Sequence, residues 1–268
     1  MKRVGVLINP YAKMVRKKKV YLNDFYSLDK EYVILRTTVE LEEIDAIITE
    51  FFDEKVTYIA IVGGDGTIHQ ILTKLIKIYE NEVLPPLLIL KGGTMNLVSE
   101  SLRVKGTAIQ ILERLVNALK EDKEIDIQKR DTIKINERYC FLFGLGVVTN
   151  YLNEVYKEEK GALANIRGFF TAIEHSIHEP EENSIFEGIE GSVYVDGKLV
   201  YEDFVSAILA GTVEYISHGM PALHKATTEK GKFHIIMTNL TKFALLKHLY
   251  MVFGLSPYNE NIMSALVS

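Results

Sequence analysis

The sequence predicts an α/β N-terminal domain with a mostly parallel sheet, followed by a β-rich, sandwich-like C-terminal domain. Three observations lead there. Short apolar runs alternate with amphipathic helical stretches up to about residue 124. Glycine turns stand where two of those runs end. Beyond residue 124, apolar runs instead come in pairs around tight-turn residues. Strands alternating with helices build a parallel sheet covered on both faces, whereas close-spaced pairs build antiparallel hairpins.

In order, the first strand is Val4–Ile8, ending at Asn9-Pro10, with a basic run over residues 13–19 (Lys13, Arg16, Lys17, Lys18, Lys19). Residues 32–35 read as a second strand. Residues 41–52 read as a helix that gathers Leu41, Ile44, Ile47, Ile48 and Phe51 on one side. The buried run 59–62 leads into Gly63-Gly64-Asp65-Gly66-Thr67, and Ile68, Ile71, Leu72, Leu75 and Ile76 then keep helical spacing. Residues 87–90 are a further strand running into Lys91-Gly92-Gly93-Thr94-Met95-Asn96, and residues 108–119 a further helix. The predicted domains are 1–124 and 125–268. In the second, "DTIKINERYCFLF" and "GSVYVDGKLVYEDFVSAILA" predict hairpins, the latter turning at Asp196-Gly197, a pair that favours a type I′ turn. "KGKFHIIMT" reads as a strand and residues 149–178 as largely helical. Residues 242–253 read as an amphipathic helix followed by a polar stretch to Ser268. The cleft between the domains is the default ligand site.

Composition narrows the function. At 268 residues with 47% hydrophobic and 25% charged side chains, the chain can bury a core like an ordinary soluble protein. A net charge of −5 argues against general nucleic-acid binding. A single cysteine, Cys140, excludes an intrachain disulfide and suits a reducing compartment. Among Tyr139, Phe141 and Leu142 it reads as core rather than nucleophile. No signal peptide is visible ahead of the first strand, so none is expected, and no apolar run approaches the roughly 20 residues of a spanning helix. A cytoplasmic protein, peripheral at a membrane if it meets one, is the expectation.

Chemistry concentrates in the glycine turns, because ligands of open α/β sheets bind outside the carboxyl ends of strands. Gly63, Gly64 and Gly66 would let phosphates approach main-chain amides, and the following helix start adds unpaired N–H donors. Thr67 could cap that helix or bond a phosphate oxygen. Asp65 repels phosphate, so it makes sense as a bridge to a divalent cation or as a group orienting a hydroxyl. The plainer reading is a turn aspartate bonding nearby amides. No GxxxxGK[ST] occurs, no GxGxxG follows strand one, and Gly144-Leu145-Gly146 is too short for a dinucleotide fingerprint.

The turn Gly63 to Thr67 resembles the GGDGT signature of diacylglycerol, sphingosine and NAD kinases. Gly93-Thr94-Met95-Asn96 resembles the GTxN segment of the diacylglycerol-kinase branch, as do Asn9-Pro10 and a threonine ending strand two, Thr38. The resemblance is specific over about residues 4–104 and looser beyond. It implies ATP as phosphoryl donor, Mg²⁺, and a lipid hydroxyl such as that of diacylglycerol as acceptor at a membrane surface; a homodimer is also expected. By the same resemblance Asn9, Thr38, Gly63, Gly64, Asp65, Gly66, Thr67, Gly93 and Thr94 would contact nucleotide, with Asn96 supporting the second turn. Asp65 would lie by phosphates and metal as the catalytic carboxylate. The chain departs from the family pattern in four places. Lys13 stands near the usual glycine after Asn-Pro, and the strand "FLFGLG" lacks an asparagine. Lys230 stands where an aspartate is usual, leaving Glu229 as a metal candidate one step out of register. The tail carries no Asp-Gly-Glu.

Three functions follow. The first is a lipid kinase, for which the basic run could touch anionic headgroups or simply be solvated. Phe169-Phe170 or Tyr215-Ile216 could accept acyl chains or be plain core. The second is an NAD kinase using Asn153-Glu154, residues that the pattern places in a helix. The third is a nucleotide- or lipid-binding homologue without turnover, suggested by Lys230 and the missing triplet. His69 reads as an exposed first-turn residue, and neither His218 nor His224 has zinc-ligand spacing on a helix face.

Overall fold

Alternation along β1 (Val4–Ile8) sets up two apolar faces, and every residue of the strand is buried. Val4, Val6 and Ile8 join a core with Ala60, Val62 and Leu90 and with Ile111, Leu112, Leu115 and Val116 of the last long helix of the unit. Gly5 points the other way, where a Cβ would stand 2.7 Å from the Phe51 ring. The structure, a computed structural model, describes residues 2–17, 19–38, 40, 42–93, 96–150, 153, 185–216, 221–242 and 263–267. It divides into one unit of Met1–Arg130 with Lys134–Cys140 and another of Asp131–Ile133 with Phe141–Ser268.

In the first unit β1 is central, pairing in parallel with β2 (Val33–Thr37) and β3 (Tyr58–Gly63), and β3 pairs in parallel with β4 (Leu87–Lys91). The order β2-β1-β3-β4 is the doubly wound arrangement expected from the strand–helix alternation. Two short helices, α1 (Lys13–Arg16) and α2 (Leu22–Tyr26), fill the connection from β1 to β2. The next two are α3 (Glu43–Asp53), burying Ile44, Ile47, Ile48 and Phe51, and α4 (Asp65–Ile78), burying Ile68, Ile71, Leu72 and Leu75. After β4 come α5 (Leu97–Ser101) and α6 (Ala108–Lys120), the latter opened by a reciprocal Thr107–Gln110 capping box.

A hairpin of β5 (Ile133–Ile135) and β6 (Arg138–Cys140) follows. Its second strand lies on α4, with Tyr139 N donating to Thr73 Oγ1 at 2.9 Å. That tie is why the first unit reaches beyond the boundary at 124 read from the sequence. Cys140 is buried.

The second unit carries an antiparallel sheet in the order β12-β11-β10-β7, made of β7 (Leu142–Gly146), β10 (Ala207–Gly211), β11 (Phe233–Thr238) and β12 (Met263–Val267). The ribbon of β8 (Ile189–Val195) and β9 (Lys198–Val205) turns at Asp196 and Gly197, both at positive φ (50° and 76°), as a type I′ turn requires. Gly146 is left-handed (φ 64°) with its Cβ direction blocked by the Ser206 carbonyl, so the Gly144-Leu145-Gly146 glycines serve the sheet. The sequence reading placed a polar tail where β12 pairs with β11; its helices over 149–178 and 242–253 lie almost wholly outside the described residues.

His234 is fully buried on β11, and its ring meets His224 edge-on at 5.3 Å between centroids. Burial first, then positive charge on His224 and Lys225, pushes its imidazole down to about 4. The folded form therefore binds fewer protons than the unfolded chain, whose histidine titrates near ~6.5. Stability from this group is complete above that value and is lost as pH falls toward 4. The whole effect is roughly 3 kcal/mol. Urea unfolding between pH 7 and 4 should show His234→Gln losing less stability than the parent by about that amount; parallel curves would contradict it. At β1, Gly5→Ala should cost about 1–3 kcal/mol by overpacking against Phe51. Adding Phe51→Leu should recover part of the loss, and strict additivity in a thermal melt would contradict the contact.

Candidate functional site at the glycine turns

The strand order β2-β1-β3-β4 makes the chain leave β1 toward one side and β3 toward the other, so a crevice opens at the carboxyl ends of those two strands. Asn9 and Thr67 meet across it. Asn9 Nδ2 donates to Thr67 Oγ1 at 2.8 Å, while Asn9 Oδ1 accepts from the Tyr11 amide at 2.8 Å. The Asn9 amide continues the sheet to the Val62 carbonyl at 2.9 Å. Thr38, just past β2, is buried; its amide donates to the Ile8 carbonyl and its hydroxyl to the Glu40 carbonyl at 2.7 Å.

The two glycine turns are packed back to back. Gly92 N donates to the Gly63 carbonyl at 3.0 Å, and a Cβ on Gly92 would stand 2.7 Å from Gly63 N. A Cβ on Gly64 would stand 3.2 Å from the Gly93 Cα, and one on Gly93 would collide with the Gly64 Cα. A Cβ on Gly63 would stand 2.6 Å from the Thr67 Cβ. Four of the five glycines are therefore bare for each other and for Thr67. The close approach of the two turns is thus a packing reason for Gly63 and Gly64 beside the approach of phosphate that the sequence reading assigned to them. Gly66 is exposed, and its Cβ direction meets nothing within 4 Å.

The second turn is held from inside and outside. Asn96 is buried and left-handed (φ 53°), a conformation in which asparagine is several-fold enriched. Its Oδ1 accepts from the Gly93 amide at 2.8 Å and its Nδ2 donates to the Gly93 carbonyl at 3.1 Å, closing the turn on itself. From α1, the Met14 amide donates to the Gly92 carbonyl at 2.9 Å. Thr94, expected at this turn, lies outside the described residues. Asp65 reaches over from the first turn, its Oδ1 accepting from the Val98 amide of α5 at 3.0 Å. Half of the carboxylate thus does what a helix-capping acceptor does, which is the plainer of the two readings of Asp65.

The start of α4 carries amides without an intrahelical acceptor. The first intrahelical bond of that helix is Ile68 N to the Gly64 carbonyl at 3.0 Å, so the amides of Asp65, Gly66 and Thr67 precede it. The cap residue Gly64 has no side chain with which to occupy them. Four helical turns of aligned peptide dipoles lie behind these donors. His69 is half-buried rather than exposed; burial lowers its pKa while the Asp65 carboxylate pulls the other way. Glu229, the second metal candidate, belongs to the other unit and pairs with Lys232 at 2.7 Å. The adjoining Gly231 amide donates to Asp131 Oδ2 at 2.9 Å, holding that turn, and Lys230 is exposed. Among the described residues no three His, Cys, Asp or Glu side chains converge as a metal cage. A Mg²⁺ ion held by one carboxylate and its nucleotide's phosphates needs no such cage, and Asp65 Oδ2 fits that role.

Residues 3–129 match the family described as the diacylglycerol kinase catalytic domain. The match takes in a little under half of the chain, the part that carries both glycine turns. Among relatives, the chain is 22% identical over 213 residues to a Staphylococcus aureus (strain bovine RF122 / ET3-1) protein named "Putative lipid kinase". The proteins of that name from strains MSSA476 and MW2 are likewise 22% identical. The match takes in 79% of this chain and 64% of each relative, so it spans less than two thirds of their length. Two solved structures of Bacillus anthracis str. Sterne, each described as a "putative diacylglycerol kinase", share the fold. Their TM-scores are 0.69 and 0.68 at 21% and 22% identity; each covers 99% of this chain, against 83% and 84% of the other. Sequence reasoning pointed to the turns, Asn9, Thr67 and Asn96, which the structure brings together. It missed the Val98 amide and Met14 as ties, since bonds spanning 33 and 78 residues leave no local pattern.

Replacing Asp65 with alanine should cost about 1 kcal/mol, as loss of a capping acceptor does, and should speed hydrogen exchange at the Val98 amide. Asp65→Asn keeps an acceptor oxygen and should restore that protection. Equal Val98 exchange in all three proteins would rule the tie out.

Proposed function

We propose that this protein transfers the γ-phosphoryl group of ATP, with Mg²⁺, to the hydroxyl of a lipid such as diacylglycerol. The observation that carries the reading is the open Gly66 edge of α4 at the strand-order switch point, in a first turn whose amides precede the helix's own bonds and have no capping side chain. The match of residues 3–129 to the diacylglycerol kinase catalytic domain supports a kinase. In this reading the amides of Asp65, Gly66 and Thr67 hold phosphate oxygens, and Asn9 fixes the Thr67 hydroxyl beside them. Gly93 and Thr94 flank the nucleotide from the second turn, and Thr38 borders it from the end of β2.

Asp65 Oδ2 is the oxygen for the metal, which when bound neutralises phosphate charge. The acceptor oxygen forms the new bond to γ-phosphorus as the bond to ADP breaks, and the hydroxyl proton passes to solvent or, where Asp65 orients the hydroxyl instead of holding the metal, to Asp65 Oδ2. Such transfer depends mostly on positioning and charge stabilisation, and a general base adds typically ~10²–10⁴-fold.

A second reading, nucleotide or lipid binding without turnover, is favoured by two observations. Asp65 already spends one oxygen on Val98, and Glu229 is paired with Lys232. The NAD kinase alternative gains nothing: Asn153 is helical and exposed, and Glu154 lies outside the described residues.

Incubation with Mg²⁺ and γ-labelled ATP, offering diacylglycerol in mixed micelles, sphingosine or NAD, should place label in a lipid. Label on NAD would overturn the reading, and thermal stabilisation by ATP without transfer would favour the second one. The residue to test is Gly66 rather than Gly64. Gly64→Val would push into Gly93 and confound folding with binding, whereas Gly66→Val meets open space and should leave the melt unchanged. It should still weaken ATP binding at least tenfold; unchanged affinity would move the nucleotide elsewhere.

A further inference from the structure

The second glycine turn is closed by one side chain, that of Asn96, and the same side chain has a further neighbour. Its Nδ2 carries two hydrogens. The nitrogen donates to the Gly93 carbonyl at 3.1 Å and stands 3.8 Å from Met14 Sδ, in reach of an N–H···S bond. A thioether is a weak acceptor, so the bond to sulfur is the softer of the two. Met14 is held in place by its own backbone. Its amide donates to the Gly92 carbonyl at 2.9 Å, and its carbonyl accepts from the Lys19 amide at 2.8 Å and the Val20 amide at 3.1 Å. The side chain packs against the core but is only partly buried, which leaves it open to a small solute. A methionine that only filled a gap would need no polar neighbour; this one has its sulfur on the amide that keeps the turn shut.

We propose that Met14 is a site of reversible oxidation whose sulfoxide fastens the second turn. The oxidant is a peroxide. A sulfur lone pair takes one peroxide oxygen, the O–O bond breaks and water leaves, so sulfur gives up two electrons and gains an S–O bond. Two thiols reverse the step, yielding the thioether, water and a disulfide. The new oxygen is a strong acceptor where a weak one stood. Sulfur and nitrogen are 3.8 Å apart, so an oxygen carried on sulfur can stand about 2.9 Å from Nδ2 with both heavy atoms in place. The bond to the Gly93 carbonyl uses the other hydrogen, so the two do not compete. The added bond ties α1 to Asn96, whose Oδ1 holds the Gly93 amide at 2.8 Å. Sulfoxide sulfur is a stereocentre, and only the epimer with its oxygen toward Asn96 makes this bond. Cys140 is buried and Met237 is 5% exposed, so both are shielded from peroxide. Met95 belongs to the same turn in sequence and lies outside the described residues, so it needs its own control. The inference does not depend on which ligand the crevice takes.

Hydrogen peroxide treatment followed by amide exchange, read by NMR on the protein without nucleotide, tests it. Peptide mass mapping should find one added oxygen on Met14 before any on Met237. The Gly93 amide should then split into two populations, one exchanging on the order of fivefold more slowly, the effect of one further hydrogen bond. Met14→Leu, a swap of similar volume, should lose that slow population, and Met95→Leu should keep it. Reductases selective for each sulfoxide epimer complete the assignment: one should erase the slow population and the other should leave it. The proposal is overturned by an unoxidised Met14, by Gly93 exchange that is unchanged or faster, by a response lost with Met95→Leu, or by equal reversal with both reductases. Should Met14→Leu misfold, the epimer experiment on the natural sequence decides alone. ATP affinity is measured beside it. A slow Gly93 population in a protein that binds no ATP would sink the nucleotide reading and leave the Met14 site standing.

Discussion

The contact between Gly64 and Gly93 is the constraint on which the rest of the site depends. Two strand-to-helix turns from neighbouring parallel strands approach until their Cα atoms occupy the space a side chain would need. Hydrogen bonds fix the arrangement: Gly92 to Gly63 between the main chains, and Asp65 to Val98 from the first turn into the helix after the second. Asn9 and Met14 then fasten the connection after β1 to both turns. Three loops that sequence separates become one rigid edge. Glycine is needed at four positions for packing, whereas at Gly66 a Cβ would meet open space.

That division changes what the acidic residue in the first turn means. A carboxylate among amides would crowd out phosphate if both oxygens faced the crevice. Turning Oδ1 toward Val98 N ties down one end of the group and leaves the other for chemistry. The residue is thus a brace and a functional candidate at once, tied to the helix that follows the second turn.

Much of this was legible in the sequence because it rests on local rules. The apolar run of β1 and helical spacing in α3, α4 and α6 place those elements within a few residues of their observed ends. Asp196-Gly197 announced its turn through the positive φ it must adopt. What stayed hidden is long-range. Nothing near Gly92 says that a Cβ would strike Gly63, because that neighbour lies in another turn. Strand β12 pairs through its backbone with β11, and its sequence resembles a tail more than a strand. His234 reads as an unremarkable strand residue until the fold buries it fully beside His224.

The account stands or falls on whether both turns respond to nucleotide as one. Amide hydrogen exchange followed during a titration with Mg²⁺–ATP would show it most directly. Amides 65–67 should gain protection along a single binding curve shared with Gly93 and Asn96, since the two turns are mechanically one edge. Protection confined to one turn, or appearing only elsewhere in the chain, would contradict it.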